Sequence, residues 1–375
     1  MTNTPPLLSI SRRTRSTPFT RRVTENGVKA YTVYNHMLLP TVFESAEADY
    51  HHLKKHVQLW DVSCERQVEV SGPDAHELVQ LVTPRSLVKM QNDQCYYIPM
   101  VNEKGGMIND PVAVKISDDR FWISLADSDM LYWLKGLAIG KGFNVDVFEP
   151  DVSPLGIQGP KSDDLMADIV GGHIRALGFF RHAQFNIDGK NYLIARSGWS
   201  KQGGFEIYLK GSENGERVWD IIFEAGEKYN IRAGCPNNIE RIESGLLSHG
   251  NDMTEDNSPF EIGLGKYCHR AAMEICIGGK ALIAEKKKGP KQIIRGITIT
   301  GDKVPGCSSP WPILNQANKQ IGQITSATWS PDYKVNLGLG MVDKDHWDFG
   351  TLLSVQTPTG TRRGIVGPFP FEFDI

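Results

Sequence analysis

Two distant stretches of this 375-residue chain share one local grammar: an apolar strand, a Gly-Pro turn and a helix start. The first runs from Gln67-Val68-Glu69-Val70 into Ser71-Gly72-Pro73-Asp74-Ala75. The second runs from Leu155-Gly156-Ile157-Gln158 into Gly159-Pro160-Lys161-Ser162-Asp163. Alternation at period two marks the strands; glycine supplies the turn, proline suits the first helical position, and Asp74 suits the first turn. Two such units predict two related α+β modules.

The remaining segments fit around these units. Residues 30–34 alternate as a strand, and residues 44–57, 128–141, 217–228 and 238–248 carry helical patterns. Beyond Lys266 short alternating strands at 293–299, 321–327, 336–342 and 352–357 are separated by glycine and proline turns, which predicts an all-β domain of barrel or sandwich type. The basic run 285–291 reads as a solvated linker. The expected domains are 1–55 with 146–265 as one discontinuous α+β unit, 56–145 as a second, and 280–375 as the all-β unit.

Bulk properties narrow the function. The net charge of -3 provides no basic field for nucleic acid, and no basic stripe is interleaved with aromatics. The six cysteines are scattered without metal-ligand spacing, so reduced thiols and no metal are expected. No apolar run reaches membrane-span length, and Arg12 and Arg13 are not followed by the apolar core of an export signal, so a cytoplasmic protein with no membrane partner is expected. His51, His52 and His56 read as a surface face of one helix. The phosphate-loop, nucleophile-elbow and zinc-helix motifs are absent.

The stretch 96–111 carries the chemistry. Apolar residues flank Asn102-Glu103-Lys104-Gly105-Gly106, which predicts a hairpin whose paired glycines take positive φ. Asp110 lies in the apolar run that follows, where burial raises a carboxyl pKa and an unpaired charge is costly; a cationic ligand is one partner that would relieve it. Tyr31 and Tyr34 fit either core packing or a cavity wall. On 204–208, Glu206 and Tyr208 share one strand face, suited to a ligand or to a half-solvated edge strand. Arg241 is either a surface ion-pair partner or a clamp for a carboxylate.

Seven ordered blocks then resemble the tetrahydrofolate-dependent aminomethyltransferases of the glycine cleavage system, the T-protein family. They are Trp60-Asp61-Val62-Ser63, Gly72-Pro73-Asp74-Ala75, Asn109-Asp110, Ile157-Gln158-Gly159-Pro160, Ser197-Gly198-Trp199 through Gly204-Phe205-Glu206-Ile207, Arg241-Ile242-Glu243-Ser244-Gly245 through Gly250-Asn251-Asp252, and Gly322 through Ser330-Pro331. The resemblance implies three domains in a cloverleaf around a central folate channel. Departures at Cys64-Glu65-Arg66, Trp199-Ser200-Lys201-Gln202 and Asn109, together with residues 30–40, resemble the branch that demethylates dimethylsulfoniopropionate.

What the resemblance implies is a methyl transfer from a small sulfonium substrate to tetrahydrofolate as co-substrate. Tyr97 would pack on the folate, Glu206 would bond its pterin, Arg241 would contact it at the channel, and Asp110 would orient N5 and stabilise its developing charge. Trp199 and Tyr208 would cup the sulfonium, an arrangement worth about 2 kcal/mol for a desolvated cation. Tyr34 is a further wall candidate, and Lys201 and Ser124 are candidates for the substrate carboxylate. Another onium or N-methyl amine donor, or a non-catalytic folate-binding accessory protein, stays open at this level, as does a homodimer.

Overall fold

The two Gly-Pro turns owe their glycines to close approach as well as to backbone sign. Gly72 has φ +131° and Gly159 has φ +124°; an added Cβ would meet the Asn144 carbonyl oxygen at 2.6 Å and the His56 carbonyl oxygen at 2.3 Å respectively. The helices that follow are Ala75–Leu81 and Ser162–Val170, so each begins later than the sequence pattern predicts. Asp74 does not enter the first turn; its Oδ2 accepts from the Asn144 backbone N–H at 2.7 Å and ties the turn to the far end of its own module.

The computed structural model describes residues 11–372; positions 1–10 of the expected first domain and 373–375 of the last lie outside the described residues. One module is a six-stranded sheet in the order His182–Ile187, Lys190–Ala195, Gly204–Lys210, Val152–Gln158, Gln58–Asp61, Arg232–Gly234. Every pair is antiparallel except the last. Helices Ser162–Val170 and Gly215–Gly226 contribute Leu165, Val218, Trp219 and Ile222 to a core with Leu155, Ile157, Phe205 and Ile207 of the sheet.

The other module is an antiparallel five-stranded sheet ordered Asp146–Phe148, Gln67–Ser71, Arg120–Ser124, Val112–Ser117, Cys95–Tyr97. Ala75–Leu81 and Met130–Lys141 bury Leu78, Val79 and Leu134 against its Val68, Val70, Phe121 and Ile123. Strands Gln58–Asp61 and Asp146–Phe148 fall on the other side of the expected boundaries at 56 and 146. We place the crossings after Asp61 and after Phe148, because hydrogen-bonded strands do not divide between domains.

The C-terminal strands Gln292–Ile299, Trp311–Leu314, Gln320–Ser330, Val335–Asp343, Leu352–Thr357 and Gly360–Gly367 close into a barrel filled by residues such as Ile297, Ile313, Ile324 and Val355. Closure leaves no unpaired sheet edge. The basic run is not a linker: Lys286, Lys287 and Lys288 form the last turn of helix Gly279–Lys288, where cations complement the helix dipole. His52 is likewise not on a surface face; it is buried with Nε2 at 2.8 Å from the Asn230 carbonyl, and burial pushes its pKa down to about 4.

The hairpin at 96–111 is composite. Cys95–Tyr97 pairs with Val112–Ser117 in the five-stranded sheet, while its tip is a separate ladder of Met100–Val101 with Met107–Asn109. Gly105 takes φ +84°, but Gly106 does not have positive φ. It is required instead because its Cβ would stand 1.7 Å from the Glu255 carbonyl oxygen. The break between sheet and tip leaves Asp110 half-buried at the bend between the two ladders, within range of the Asp252 charge.

Candidate active site

Strand Gly204–Lys210 carries the first site residues, and its alternation divides them cleanly. Phe205, Ile207 and Leu209 enter the core of their own module, whereas Tyr208 packs with Cys95, Val114 and Trp122 of the other sheet. The strand is internal, between Lys190–Ala195 and Val152–Gln158, and so is not a half-solvated edge. Gly156 is the partner of Glu206 across the ladder, which leaves room beside that side chain. Glu206 is 8% exposed; the Ser197 hydroxyl donates to its Oε2, and burial raises its pKa. No hydrogen bond reaches Oε1 among the described residues.

Asp110 comes from the second module. Tyr97 Oη donates to its Oδ2 at 2.7 Å, linking two residues of the composite hairpin. Burial pushes the Asp110 carboxyl up to about 7; the Tyr97 bond opposes this and the Asp252 carboxylate adds to it. Tyr97 meets Tyr267 edge-on, with ring centroids 5.8 Å apart. The Tyr34 phenol is held far above its ordinary value by burial and by the nearby Asp110 and Glu65 carboxylates. Tyr208 is raised by burial and by Glu206, with the Ser124 hydroxyl bonded to it in opposition. Ser124 in turn accepts from Gln67 Nε2 at 2.6 Å.

Tyr97, Asp110 and Tyr34 thus form one set and Glu206, Tyr208 and Ser124 another, and the Glu65 carboxylate is the charge felt by both. Three sequence candidates stand apart from these sets. Arg241 is buried, its Nη1 donating to Asp252 Oδ2 at 2.5 Å, Nη2 to Ser326 Oγ at 2.7 Å and Nε to Asn238 Oδ1 at 2.9 Å. It is a tie between helix Asn238–Ser244, the following loop and the barrel, with one Nη2 hydrogen left for another acceptor. Neither surface ion pairing nor a free carboxylate clamp describes it.

Trp199 and Tyr208 do not share a ring contact. Trp199 lies with the Arg241 guanidinium 6.0 Å from its ring centre, whereas Tyr208 faces Trp122 at 5.8 Å. The loop that carries Trp199 is held by Gln158, which donates to the Ser197 carbonyl and accepts from Ser200. Lys201 is exposed, and the bond that fixes it runs from its backbone N–H to Glu240 Oε1 at 2.9 Å.

Sequence reasoning missed Glu65 and Gln67. Glu65 is half-buried, and Gln67 Nε2, which donates both to its carbonyl and to Ser124 Oγ, places its backbone beside the central residues; its carboxyl is pushed far above the ordinary range by burial and by the charges of Glu206 and Asp110. Its signal was present in the Cys64-Glu65-Arg66 departure, read as a mark of lineage and not as a site residue. Gln67 sat in an ordinary alternating strand and gave no signal.

The donor set suits a reduced pterin. An acceptor such as Glu206 Oε1 matches ring N–H groups, Asp110 is an acid-base group of intermediate strength, and Tyr97 and Tyr267 offer aromatic surface beside it. Among the described residues no helix is long and apolar enough to cross a membrane.

Comparison with known proteins agrees with this architecture. Residues 19–271 match the GCVT N-terminal domain family, and residues 294–371 match the glycine cleavage T-protein C-terminal barrel domain. The dimethylsulfoniopropionate demethylase of Ruegeria pomeroyi is 55% identical over 352 residues, covering 94% of this chain and 96% of that relative. An aminomethyltransferase of Staphylococcus epidermidis is 27% identical over 351 residues, covering 91% and 94%. The crystal structure of the glycine cleavage aminomethyltransferase T from Bartonella henselae superposes with a TM-score of 0.86 at 22% identity, over 96% of this chain and 98% of that one, a likeness of fold.

Proposed function

The chain belongs to the glycine cleavage T-protein family, and on that premise we propose that it demethylates dimethylsulfoniopropionate, the reaction for which its Ruegeria relative is named. The products are 3-(methylthio)propionate and 5-methyltetrahydrofolate. The observation that carries this reading is the convergence of Asp110, Glu206, Glu65 and the phenols of Tyr34 and Tyr208 with no cation paired to the three acids among the described residues. Such a site is electrostatically incomplete until a cation enters it.

Tetrahydrofolate, when bound, supplies N5 as the methyl acceptor, and the sulfonium supplies a leaving group that departs as a neutral thioether. The protein's part is positioning, since aligned reactants gain several kcal/mol over free encounter. Glu206 Oε1 accepts from the pterin ring and fixes its plane. Asp110 accepts the N5 hydrogen in the ground state and holds the proton at its carboxylate once the methyl has arrived, a role suited to a group near neutrality. Tyr97, donating to Oδ2, keeps that carboxylate aimed.

Tyr208 and Tyr34 present aromatic surface to the sulfonium beside Ser124. Arg241, whose guanidinium lies 6.0 Å from the Trp199 ring centre, serves as a positioning residue with one Nη2 hydrogen left to offer the folate. The substrate carboxylate is directed away from Asp110, Glu206 and Glu65, whose like charge repels it, and the exposed Lys201 is the cation assigned to it.

The test is to incubate the protein with tetrahydrofolate and, separately, dimethylsulfoniopropionate, glycine betaine and N-methylglycine, and to follow 5-methyltetrahydrofolate by mass. Turnover with the sulfonium is the expected result. Turnover with betaine alone refutes the substrate and leaves the family reaction standing. Tight folate binding with no methyl transfer from any donor favours an accessory protein instead.

A further inference from the structure

The departure at Cys64-Glu65-Arg66 has a structural outcome at each residue. Glu65 occupies the turn between strands Gln58–Asp61 and Gln67–Ser71, where the chain crosses from one module to the other. Its backbone N–H donates to the Val62 carbonyl at 2.9 Å, its own carbonyl accepts from Gln67 Nε2 at 2.8 Å, and the preceding Cys64 carbonyl accepts from Asn35 Nδ2 at 2.9 Å. The main chain is thus fixed on both sides. Arg66 leaves the site, its Nη2 donating to Glu149 Oε2 at 2.5 Å, so its charge is already matched.

The Glu65 side chain is different. No hydrogen bond or ion pair reaches its carboxylate among the described residues, and the charges acting on it are those of Glu206 and Asp110, both acids. Its field in turn is felt by the Tyr34 and Tyr208 phenols. A neighbouring acceptor is also unmatched: Gln67 is 1% exposed, its Nε2 is committed to Ser124 and to the Glu65 carbonyl, and its Oε1 has no partner. Arg241, the buried cation of the neighbouring helix Asn238–Ser244, is bound to Asp252 and is not among the charges acting on Glu65. The fixed backbone thus sets a half-buried acid, with no partner among the described residues, beside Ser124, to which Gln67 ties the Glu65 carbonyl, and beside the segment of Tyr34, whose neighbour Asn35 holds Cys64.

We propose that Glu65 is the specificity-determining residue for the methyl donor: its carboxylate, ionised when a cation lies beside it, provides the negative charge that selects a permanently cationic onium centre over an uncharged thioether of the same shape. Glu206 and Asp110 are occupied by the roles assigned to them toward the folate, which leaves Glu65 as the acid available to the donor. Two consequences follow from charge alone. The onium end of the substrate is drawn toward Glu65 and its carboxylate end is driven away from it, which fixes the direction of entry. After methyl transfer the thioether product no longer interacts with Glu65 through a full charge, so the same residue that retains the substrate favours product release.

This inference rests on the demethylase reading. Its test compares KM for dimethylsulfoniopropionate with the inhibition constant of 3-(methylthio)propionate, which keeps the shape and the carboxylate but lacks the positive charge. In E65Q the sulfonium KM should rise about tenfold or more, while the inhibition constant of the thioether and the KM for tetrahydrofolate stay within about twofold. E65D, which retains the charge, should keep the ratio of the two constants close to the wild-type value. Parallel weakening of both ligands in E65Q would show a packing role, and an unchanged ratio would show no role; either overturns the proposal, as does E65D behaving like E65Q. Wild-type protein that forms no methylated folate from any onium donor overturns the demethylase reading and this inference together, whereas normal wild-type turnover with an unaltered ratio in E65Q overturns this inference alone.

Discussion

Replacing Asp110 with Asn should make the ligand-free protein more stable at pH 8 while nearly abolishing its activity. Burial raises the Asp110 carboxyl from 3.8 to about 7. A group whose folded pKa lies above its unfolded value favours the folded state fully below the unfolded pKa, and that contribution is lost as pH rises through the folded pKa. At 1.36 kcal/mol per pH unit, holding the ionised carboxylate at pH 8 costs the folded protein about 4 kcal/mol as an upper bound. That figure already includes the Tyr97 hydroxyl, which donates to Oδ2 at 2.7 Å, and water reaching the half-buried ionised carboxylate reduces the realised cost to about 2 kcal/mol.

D110N should therefore gain about 2 kcal/mol at pH 8, seen as a rise of about 4 °C in the midpoint of thermal unfolding, and the gain should vanish toward pH 4. Saturating the wild type with folate and the onium donor should shrink the difference. In turnover assays the variant should lose at least about 10²-fold in kcat, and wild-type kcat/KM should rise with pH through about 7. A variant less stable than wild type by the same amount at pH 8 and pH 4 would refute the electrostatic argument. Unchanged turnover would refute the role of Asp110.

Two further outcomes check the framework around the site. D252N should destabilise the protein by about 3–5 kcal/mol, since it strips the charge from a partner of the buried Arg241, which is 5% exposed. In whatever active protein remains, the pH midpoint of kcat/KM should move to lower pH, because the Asp252 charge that raises Asp110 is gone. G106A should fail to accumulate as folded protein or unfold well below wild type in thermal scans, because its Cβ would overlap the Glu255 carbonyl; G189A is the control, with φ +81° but open space around it, and should cost only about 1 kcal/mol or somewhat more.

Where local chemistry and long-range packing agree, the sequence is legible. The glycines of both Gly-Pro turns, the alternation of Glu206 and Tyr208 against Phe205 and Ile207, and the short strands of the barrel domain all follow from backbone conformation and side-chain period. Reading fails where a contact with a remote segment outweighs the local pattern. Helix Ala75–Leu81 starts late because Asp74 is drawn to Asn144, and His52 is inside because Asn230 meets it there. The hairpin divides in two because Cys95–Tyr97 pairs with a strand beyond the corner.

The site divides along the same line. Residue types and order along the chain were enough to nominate Asp110 as a buried carboxylate needing a partner and, through the family resemblance, to attach a folate methyl transfer to it. Those are properties of single positions and short motifs. That Arg241 is already committed to Asp252, that Trp199 lies beside Arg241 and not Tyr208, and that the Glu65 carboxylate has no hydrogen-bond partner among the described residues depend on segments remote in the sequence coming together. Electrostatic fields act through space and not along the chain, so only the tertiary structure could decide them.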